Sequence, residues 1–184
     1  MDTQQYLDNV LIIDLSRREL AELPDLSRFT QLQKLQCWSN NLTSLPPLPD
    51  SLQILNCSYN QLTFLPDTLP NSLQQLNCSN NQLTSLPNLP DSLQKLYCHN
   101  NQLTSLPDTL PISLKILYCH RNKLTSLPDH LPNSLQEFSC DFNQLTFLPD
   151  HLPDSLQKLY CNNNQLTFLP DLPNSLQVLN CGNN

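Results

Sequence analysis

Glycine is almost absent from this chain, in which Gly182 is the single example among 184 residues. The loops that cradle phosphate groups need several glycines close together, because only a residue without a side chain lets the backbone approach the phosphate. The near-absence of glycine therefore excludes a phosphate-binding loop of the usual form.

Charged side chains and long apolar runs are also scarce. Only 14% of the residues are charged, and the formal net charge of −7 disfavours nucleic acid, whose binding proteins usually present a basic surface. No apolar run approaches the roughly 18 residues needed to span a membrane. The start, Met1 to Gln5, lacks the basic and apolar regions of a secretory signal. We therefore expect a soluble protein that does not bind membranes and stays in the compartment where it is made.

Cysteine is abundant, and its spacing reveals a repeat. The eight cysteines lie 20 or 21 residues apart, at Cys37, Cys57, Cys78, Cys98, Cys119, Cys140, Cys161 and Cys181. Each occupies the sixth position of the pattern L-x-x-[LF]-x-C-x-x-N, and a degenerate copy without cysteine begins at Val10. The sequence thus predicts a short flank over residues 1–9 and one domain over 10–184, with about nine repeats, the last incomplete.

Each repeat has the pattern of one short strand. Apolar residues at positions one, four and six indicate a strand with one buried face. A single strand cannot bury that face alone, so the copies are expected to stack into a parallel sheet with a continuous core. Position nine is asparagine in eight copies, and its amide can bond unpaired backbone groups where the chain leaves the strand.

The segment that returns the chain to the next strand is rich in proline, as in Leu65 to Leu73. Two prolines in each return forbid a regular helix and favour polyproline II or turns. The predicted fold is therefore a repeat solenoid with a parallel sheet on its concave side and proline-rich segments on its convex side.

The consensus L-P-x-L-P-x-S-L-x-x-L-x-x-x-x-N-x-L-x-x-L-P resembles the short-repeat leucine-rich-repeat class of bacterial effectors, with repeats of 20–22 residues. It is also similar to leucine-rich-repeat proteins of giant viruses. The resemblance covers residues 10–184. It implies a right-handed superhelix that takes part in protein–protein recognition, either alone or as the recognition arm of a larger effector.

The cysteines invite a disulfide framework or metal sites, but their position in the repeat favours buried, reduced thiols. No two have the C-x-x-C spacing of a zinc site. A column of free thiols is typical of the reducing cytoplasm or nucleus. His99 and His120 lie one repeat apart but lack a third ligand, so we expect no metal, no cofactor and no catalytic activity. Disulfides or metal remain the alternative.

The outward positions three, five, seven and eight change in character between Lys95 and Tyr160, where aromatic and charged side chains replace a background of Gln, Asn and Ser. Such residues are enriched at binding hot spots. The predicted partner-binding residues are Lys95, Tyr97, His99, Ile116, Tyr118, His120, Arg121, Glu137, Asp141, Phe142, Lys158 and Tyr160. The alternative is that cross-strand aromatic pairs only stabilise the sheet.

Charge is segregated between the two sides of the predicted solenoid. The return segments carry aspartates, with no lysine or arginine after Pro46, although aspartate after proline also serves turn chemistry. The sheet side carries five basic residues against two acidic ones: Lys34, Lys95, Lys115, Arg121 and Lys158 against Glu137 and Asp141. This segregation favours an acidic or neutral protein partner on the sheet side.

The last copy stops within the repeat, at Asn184. Its strand would present an unpaired edge that a second chain could cover. The predicted assembly interface comprises Leu176, Val178, Leu179 and Cys181. The sequence therefore predicts a non-catalytic protein-interaction scaffold. The alternatives are a structural module that forms homodimers through its C-terminal end and a truncated part of a longer protein.

Overall fold

The computed structural model describes residues 8–184. Most of the predicted flank lies outside the described residues. The described chain forms nine parallel strands, paired in chain order into a single sheet. The strands are β1 (Ile12–Asp14), β2 (Lys34–Gln36), β3 (Ile54–Asn56), β4 (Gln75–Asn77), β5 (Lys95–Tyr97), β6 (Ile116–Tyr118), β7 (Glu137–Ser139), β8 (Lys158–Tyr160) and β9 (Val178–Asn180). The predicted repeat solenoid with a parallel sheet is confirmed.

Each strand consists of positions three to five of its repeat, so each repeat forms one rung of the stack. The middle residue points inward and its two neighbours point outward, as the period of two requires. Equivalent residues pair without a shift, for example Leu96 with Leu117. Because the register is constant, side chains at one position form a column across the rungs.

One continuous core runs the length of the sheet. It is built from the leucines and cysteines of successive repeats, and Phe138 replaces the leucine in the middle of β7. The inward position is almost fully buried from β1 to β8, whereas Leu179 in β9 is 38% exposed. A rung is thus buried by a neighbour on each side, as in other solenoids.

The position-nine asparagines form the predicted ladder. In the central rungs the Asn101 Nδ2 donates to the carbonyl oxygens of Cys78 and Cys98, both at 3.0 Å. The Asn101 Oδ1 accepts from the backbone N–H of Leu83 at 2.9 Å. The same contacts recur at Asn60, Asn81, Asn122, Asn143 and Asn164. Each amide therefore ties two consecutive rungs together.

The return segments contain turns and no helix in the part of the chain described. The carbonyl oxygen of Pro90 accepts from the N–H of Leu93 at 3.0 Å, which closes a four-residue turn, and equivalent bonds occur in the other copies. The serine before position one reaches back one rung, as Ser92 Oγ does to the Leu73 carbonyl at 2.7 Å. This second ladder was not predicted, although a serine at that position in successive repeats was its signal.

Residues 8–184 contain no helix long and apolar enough to cross a membrane.

The chain turns at position eight through a left-handed backbone conformation. The torsion φ lies between 52° and 56° at this position in each of the eight cysteine-containing repeats. Asparagine tolerates this region better than other non-glycine residues. It occupies the position at Asn80, Asn100, Asn163 and Asn183. Tyr59, Arg121 and Phe142 are the bulky exceptions in these repeats.

All eight cysteines are reduced, and seven of them are buried. Burial raises the pKa of the thiols from Cys37 to Cys140 well above the ordinary value. Where a thiol has a polar contact, it is weak, as in the 3.4 Å approach of Cys119 Sγ to the Ser139 carbonyl. The column therefore packs as small apolar side chains, as the repeat position predicted.

Candidate functional site

The predicted partner-binding residues lie on four consecutive rungs, β5 to β8. Position three brings together Lys95, Ile116, Glu137 and Lys158 as in-register neighbours. Position five contributes three tyrosines, position seven two histidines and an aspartate, and position eight Arg121 and Phe142. We call these twelve residues, together with Ser139, the central sheet patch.

Two pairs of rings form the middle of the central sheet patch. Tyr97 and Tyr118 meet edge to face, with centroids 5.3 Å apart and planes at 83°. His99 and His120 stack with centroids 4.4 Å apart and planes at 13°. Tyr118 also contacts His120 at a centroid distance of 6.2 Å. The in-register sheet places these rings one rung apart, so their spacing follows from the fold.

Glu137, on β7, forms hydrogen bonds with both neighbouring rungs, β6 and β8. Its carboxylate accepts from the Tyr118 hydroxyl at 2.7 Å and from the Lys158 ammonium at 2.7 Å. These bonds, that of Lys158 first, lower the pKa of Glu137. Burial, followed by the bond to Glu137, raises the pKa of Tyr118. Two of the predicted charges therefore neutralise each other within the sheet.

Ser139 is a member of the patch that the sequence prediction missed. It is buried, and its hydroxyl donates to Asp141 Oδ1 at 2.6 Å and lies 2.9 Å from His120 Nδ1. A hydroxyl has one hydrogen, which here goes to the carboxylate, so His120 Nδ1–H must be the donor to Ser139. Neutral His120 then carries its lone pair on Nε2. A serine between two tyrosines in the position-five column was the available signal.

His99 lies half-buried beside His120, and its Nδ1 is a buried atom without a hydrogen-bond partner. Burial, followed by the proximity of His120, lowers the pKa of His99 from 6.5 to about 4. Burial also lowers the pKa of His120, against the opposing effect of Asp141. Both rings are therefore neutral at pH 7, which permits their stacking.

Acidification should destabilise the protein through His99. The unfolded chain binds a proton near pH 6.5, whereas the folded chain does so near pH 4. The contribution of neutral His99 to the free energy of unfolding is therefore complete above pH 6.5 and is lost as the pH falls to about 4. We expect the midpoint of thermal unfolding to fall less steeply over this window in His99→Gln than in the wild type.

The matched control is His130→Gln, because His130 lies exposed on a return segment. Differential scanning calorimetry at half-unit steps of pH measures both slopes. An identical slope for wild type and His99→Gln would contradict the assignment. The stability that the ionised carboxylates of Asp14, Asp25 and Glu137 contribute is lost only at lower pH. The reason is that the pKa of each is lowered from an already acidic value.

Arg121 and Phe142 form a stacked pair at the edge of the patch. The Arg121 guanidinium carbon lies 4.7 Å from the centre of the Phe142 ring. Both side chains are exposed. A similar pair, Arg17 over Trp38 at 4.2 Å, lies near the N-terminal end of the sheet.

The described residues contain no group of three or more His, Cys, Asp or Glu side chains placed to hold a metal ion. The stacked histidines have near-parallel rings, an arrangement that does not direct two nitrogens at one ion. The convex side carries shallow grooves between the proline-rich returns, one of them lined by Ile112, His130 and His151. On the sheet side, aromatic and charged groups are held by ring contacts and hydrogen bonds across adjacent rungs.

The predicted assembly residues lie on and around β9. Val178 and Leu179 are each 38% exposed, and Leu176 and Cys181 are half-buried. Within the described chain β9 pairs with β8 alone. Its contact with a second copy stays a prediction.

Family models of leucine-rich repeats match residues 71–111, where two copies are recognised, and residues 51–71 and 155–176. The leucine-rich-repeat domain of a Shigella effector is 36% identical, with a TM-score of 0.74, over 87% of this chain and 72% of that domain. The chain belongs to the leucine-rich-repeat family. No curated protein sequence matches it.

Two further solved structures are similar over nearly the whole chain. YopM from Yersinia enterocolitica is 33% identical with a TM-score of 0.83, over 94% of this chain and 42% of YopM. YopM from Yersinia pestis, a leucine-rich effector protein, is 39% identical with a TM-score of 0.86, over 93% and 48%. This leucine-rich-repeat chain thus spans less than half the length of these relatives. The predicted resemblance to bacterial effector repeats is confirmed.

Proposed function

We propose that this protein is a non-catalytic scaffold that binds a protein partner through the central sheet patch. Leucine-rich-repeat domains typically bind proteins, and the patch concentrates the side chains that are common at hot spots. The observation that supports the proposal most is the linked set of side chains on β5 to β8, in which stacked rings and hydrogen bonds hold the groups in place. Fixed side chains lose less conformational entropy when a partner binds.

The partner proposed is acidic or neutral, because the sheet side carries five basic residues against two acidic ones, of which Glu137 is paired with Lys158. The buried free thiols favour the cytoplasm or nucleus as the place of action. The similarity to YopM is compatible with a chain that acts as the recognition arm of a larger effector.

The test is capture of a partner by wild type and by the double variant Tyr97→Ser/Tyr118→Ser from a reducing lysate. The captured protein is then purified and titrated against both. We expect the double variant to bind at least tenfold more weakly with only a small change in its unfolding temperature, because both tyrosines are partly exposed. The control is Tyr59→Ser, which removes an exposed tyrosine far from the patch. Equal binding by all three proteins would reject the proposal.

End-to-end assembly is the second candidate. It is favoured by the exposure of Leu179, whose equivalents in the other eight strands are almost fully buried. A second copy packed against β9 would cover this leucine and Val178. Sedimentation equilibrium should then show a concentration-dependent dimer that Leu179→Asp dissociates. A monomer at all concentrations would remove this candidate.

A further inference from the structure

We propose that the partner anchors a carboxylate, from an aspartate or glutamate of an extended acidic segment, on Arg121 where it lies over Phe142. This inference rests on the proposed function and names the chemistry that the same face recognises. Three features support it: the strained backbone at both residues, the fixed position of the guanidinium, and the charges that surround it.

The backbone at Arg121 and Phe142 is held in a conformation that disfavours their side chains. Their φ values are 54° and 52°, in the left-handed region. The two repeats just before carry Asn80 and Asn100 at the equivalent position, and the one just after carries Asn163, while the isolated Tyr59 is the other bulky residue there. Asparagine tolerates this conformation, whereas arginine and phenylalanine cost free energy there. Two consecutive rungs therefore carry residues that lower the stability of the fold at a position that asparagine can occupy. This points to a role in binding.

Stacking fixes the Arg121 guanidinium and leaves its hydrogen-bond donors free. The guanidinium carbon lies over the Phe142 ring, 4.7 Å from its centre, within the range of a cation–π contact. Among residues 8–184 no hydrogen bond or ion pair of the Arg121 side chain occurs. The donors of a guanidinium lie in its plane and match the two oxygens of a carboxylate. A side chain already held in one orientation binds such a group with little further loss of entropy.

The surrounding charges select an anion from the partner. Of the two neighbouring carboxylates, Glu137 is neutralised by Lys158, whereas Asp141 accepts from the neutral Ser139 hydroxyl and keeps its charge. Lys123 lies two residues along the chain, where its ammonium bonds Gln102 at 3.3 Å. The aspartates of the return segments lie on the opposite side of the solenoid and would repel an acidic segment from that side. An acidic segment is thus directed towards the sheet face.

The experiment uses nuclear magnetic resonance of the full chain with two blocked decapeptides, five repeats of Glu-Ser and five repeats of Gln-Ser. The chain has four arginines, so the Nε–H signal of Arg121 is assigned by its loss in Arg121→Gln. We expect the Glu-Ser peptide to shift this signal saturably. Its Kd should be about tenfold or more higher for Arg121→Gln, as loss of a charged hydrogen bond predicts. Backbone amide signals of Tyr97 and Tyr118 report binding in the variant.

The matched control is Arg17→Gln, which removes the other arginine that combines a left-handed backbone with an aromatic stack. It should leave the Kd of the Glu-Ser peptide unchanged. Phe142→Asn is the second variant: we expect a higher unfolding temperature, because asparagine suits the backbone, and a severalfold higher Kd, because Arg121 loses its support. A gain in stability with weaker binding separates a binding role from a structural one.

Three results would overturn the inference. They are equal affinity for the Glu-Ser and Gln-Ser peptides, equal affinity of wild type and Arg121→Gln, and an unchanged Arg121 signal at saturating Glu-Ser peptide. If the Gln-Ser peptide binds and Tyr97→Ser/Tyr118→Ser abolishes that binding, the result supports the proposed function and rejects the inference that the partner is acidic. If the patch variants leave capture from lysate unchanged, the proposed function itself falls.

Discussion

Replacing Asn101 with alanine is expected to lower the free energy of unfolding by about 1–3 kcal/mol, because it leaves the backbone N–H of the buried Leu83 without its partner. The Cys78 and Cys98 carbonyls each lose one bond and keep another, from Asn81 and Asn122. The amide donates to the carbonyl oxygens of Cys78 and Cys98 and accepts from the N–H of Leu83. Alanine replaces none of these bonds. Water cannot fully replace them either, since the ladder lies against the buried cysteine column.

The matched control for this change is Gln102→Ala at the next residue. Gln102 is exposed, and its amide oxygen has one long contact, with Lys123 at 3.3 Å. We expect a change of less than about 0.5 kcal/mol for a surface position of this kind. Urea unfolding followed by circular dichroism measures both variants. Equal stability of Asn101→Ala and Gln102→Ala would show that the ladder bonds add nothing to the free energy of unfolding.

Cys181 is expected to react with a thiol reagent orders of magnitude faster than the other seven cysteines. The thiolate is the reactive form, and burial raises the pKa of Cys161 from 9.0 to about 12. Its thiolate fraction at pH 8 is then about a thousandfold lower than that of a thiol with the ordinary pKa. Cys181 lies half-buried in the last rung, whereas the others are buried.

Reaction with a chromogenic disulfide reagent at pH 8 should therefore show one fast thiol in the native protein and eight in denaturant without reductant. Cys181→Ser should remove the fast phase and leave the slow phase unchanged. Fewer than eight thiols in denaturant would support the alternative of disulfides. Several fast thiols in the native protein would contradict a column that is buried along the whole core.

The fold could be predicted from the sequence because each rung repeats the same local pattern. The spacing of Cys37, Cys57 and their successors fixes the repeat length, and the alternation around each cysteine fixes which side chains point inward. The asparagine ladder followed from the same register. The serine ladder and the left-handed backbone at position eight needed the structure, since they depend on the path of the chain between strands.

The candidate site could be predicted only as a set of residues on one face. Constant register places Tyr97 beside Tyr118 and His99 beside His120 once the repeat is known. The hydrogen bonds of Tyr118 with Glu137 and of His120 with Ser139 do not follow from register, because they depend on rotamers and on side-chain length. Ser139 shows this limit, since its place between two tyrosines in the position-five column could mark it as unusual but could not indicate its bonds to Asp141 and His120.

The sequence by itself determined the repeat, the parallel sheet, the buried thiol column and the face that carries the unusual side chains, because period and spacing are local properties that stacking preserves. Only the tertiary structure decided how charges on that face combine. Glu137 neutralises Lys158 across adjacent rungs, and Asp141 holds Ser139, while Arg121 keeps its donors free over Phe142. The bond between Ser139 and Asp141 is local, because the two residues lie two positions apart. The bonds of Tyr118 and Lys158 with Glu137, and that of His120 with Ser139, join side chains 19 to 21 residues apart that meet only when the rungs stack.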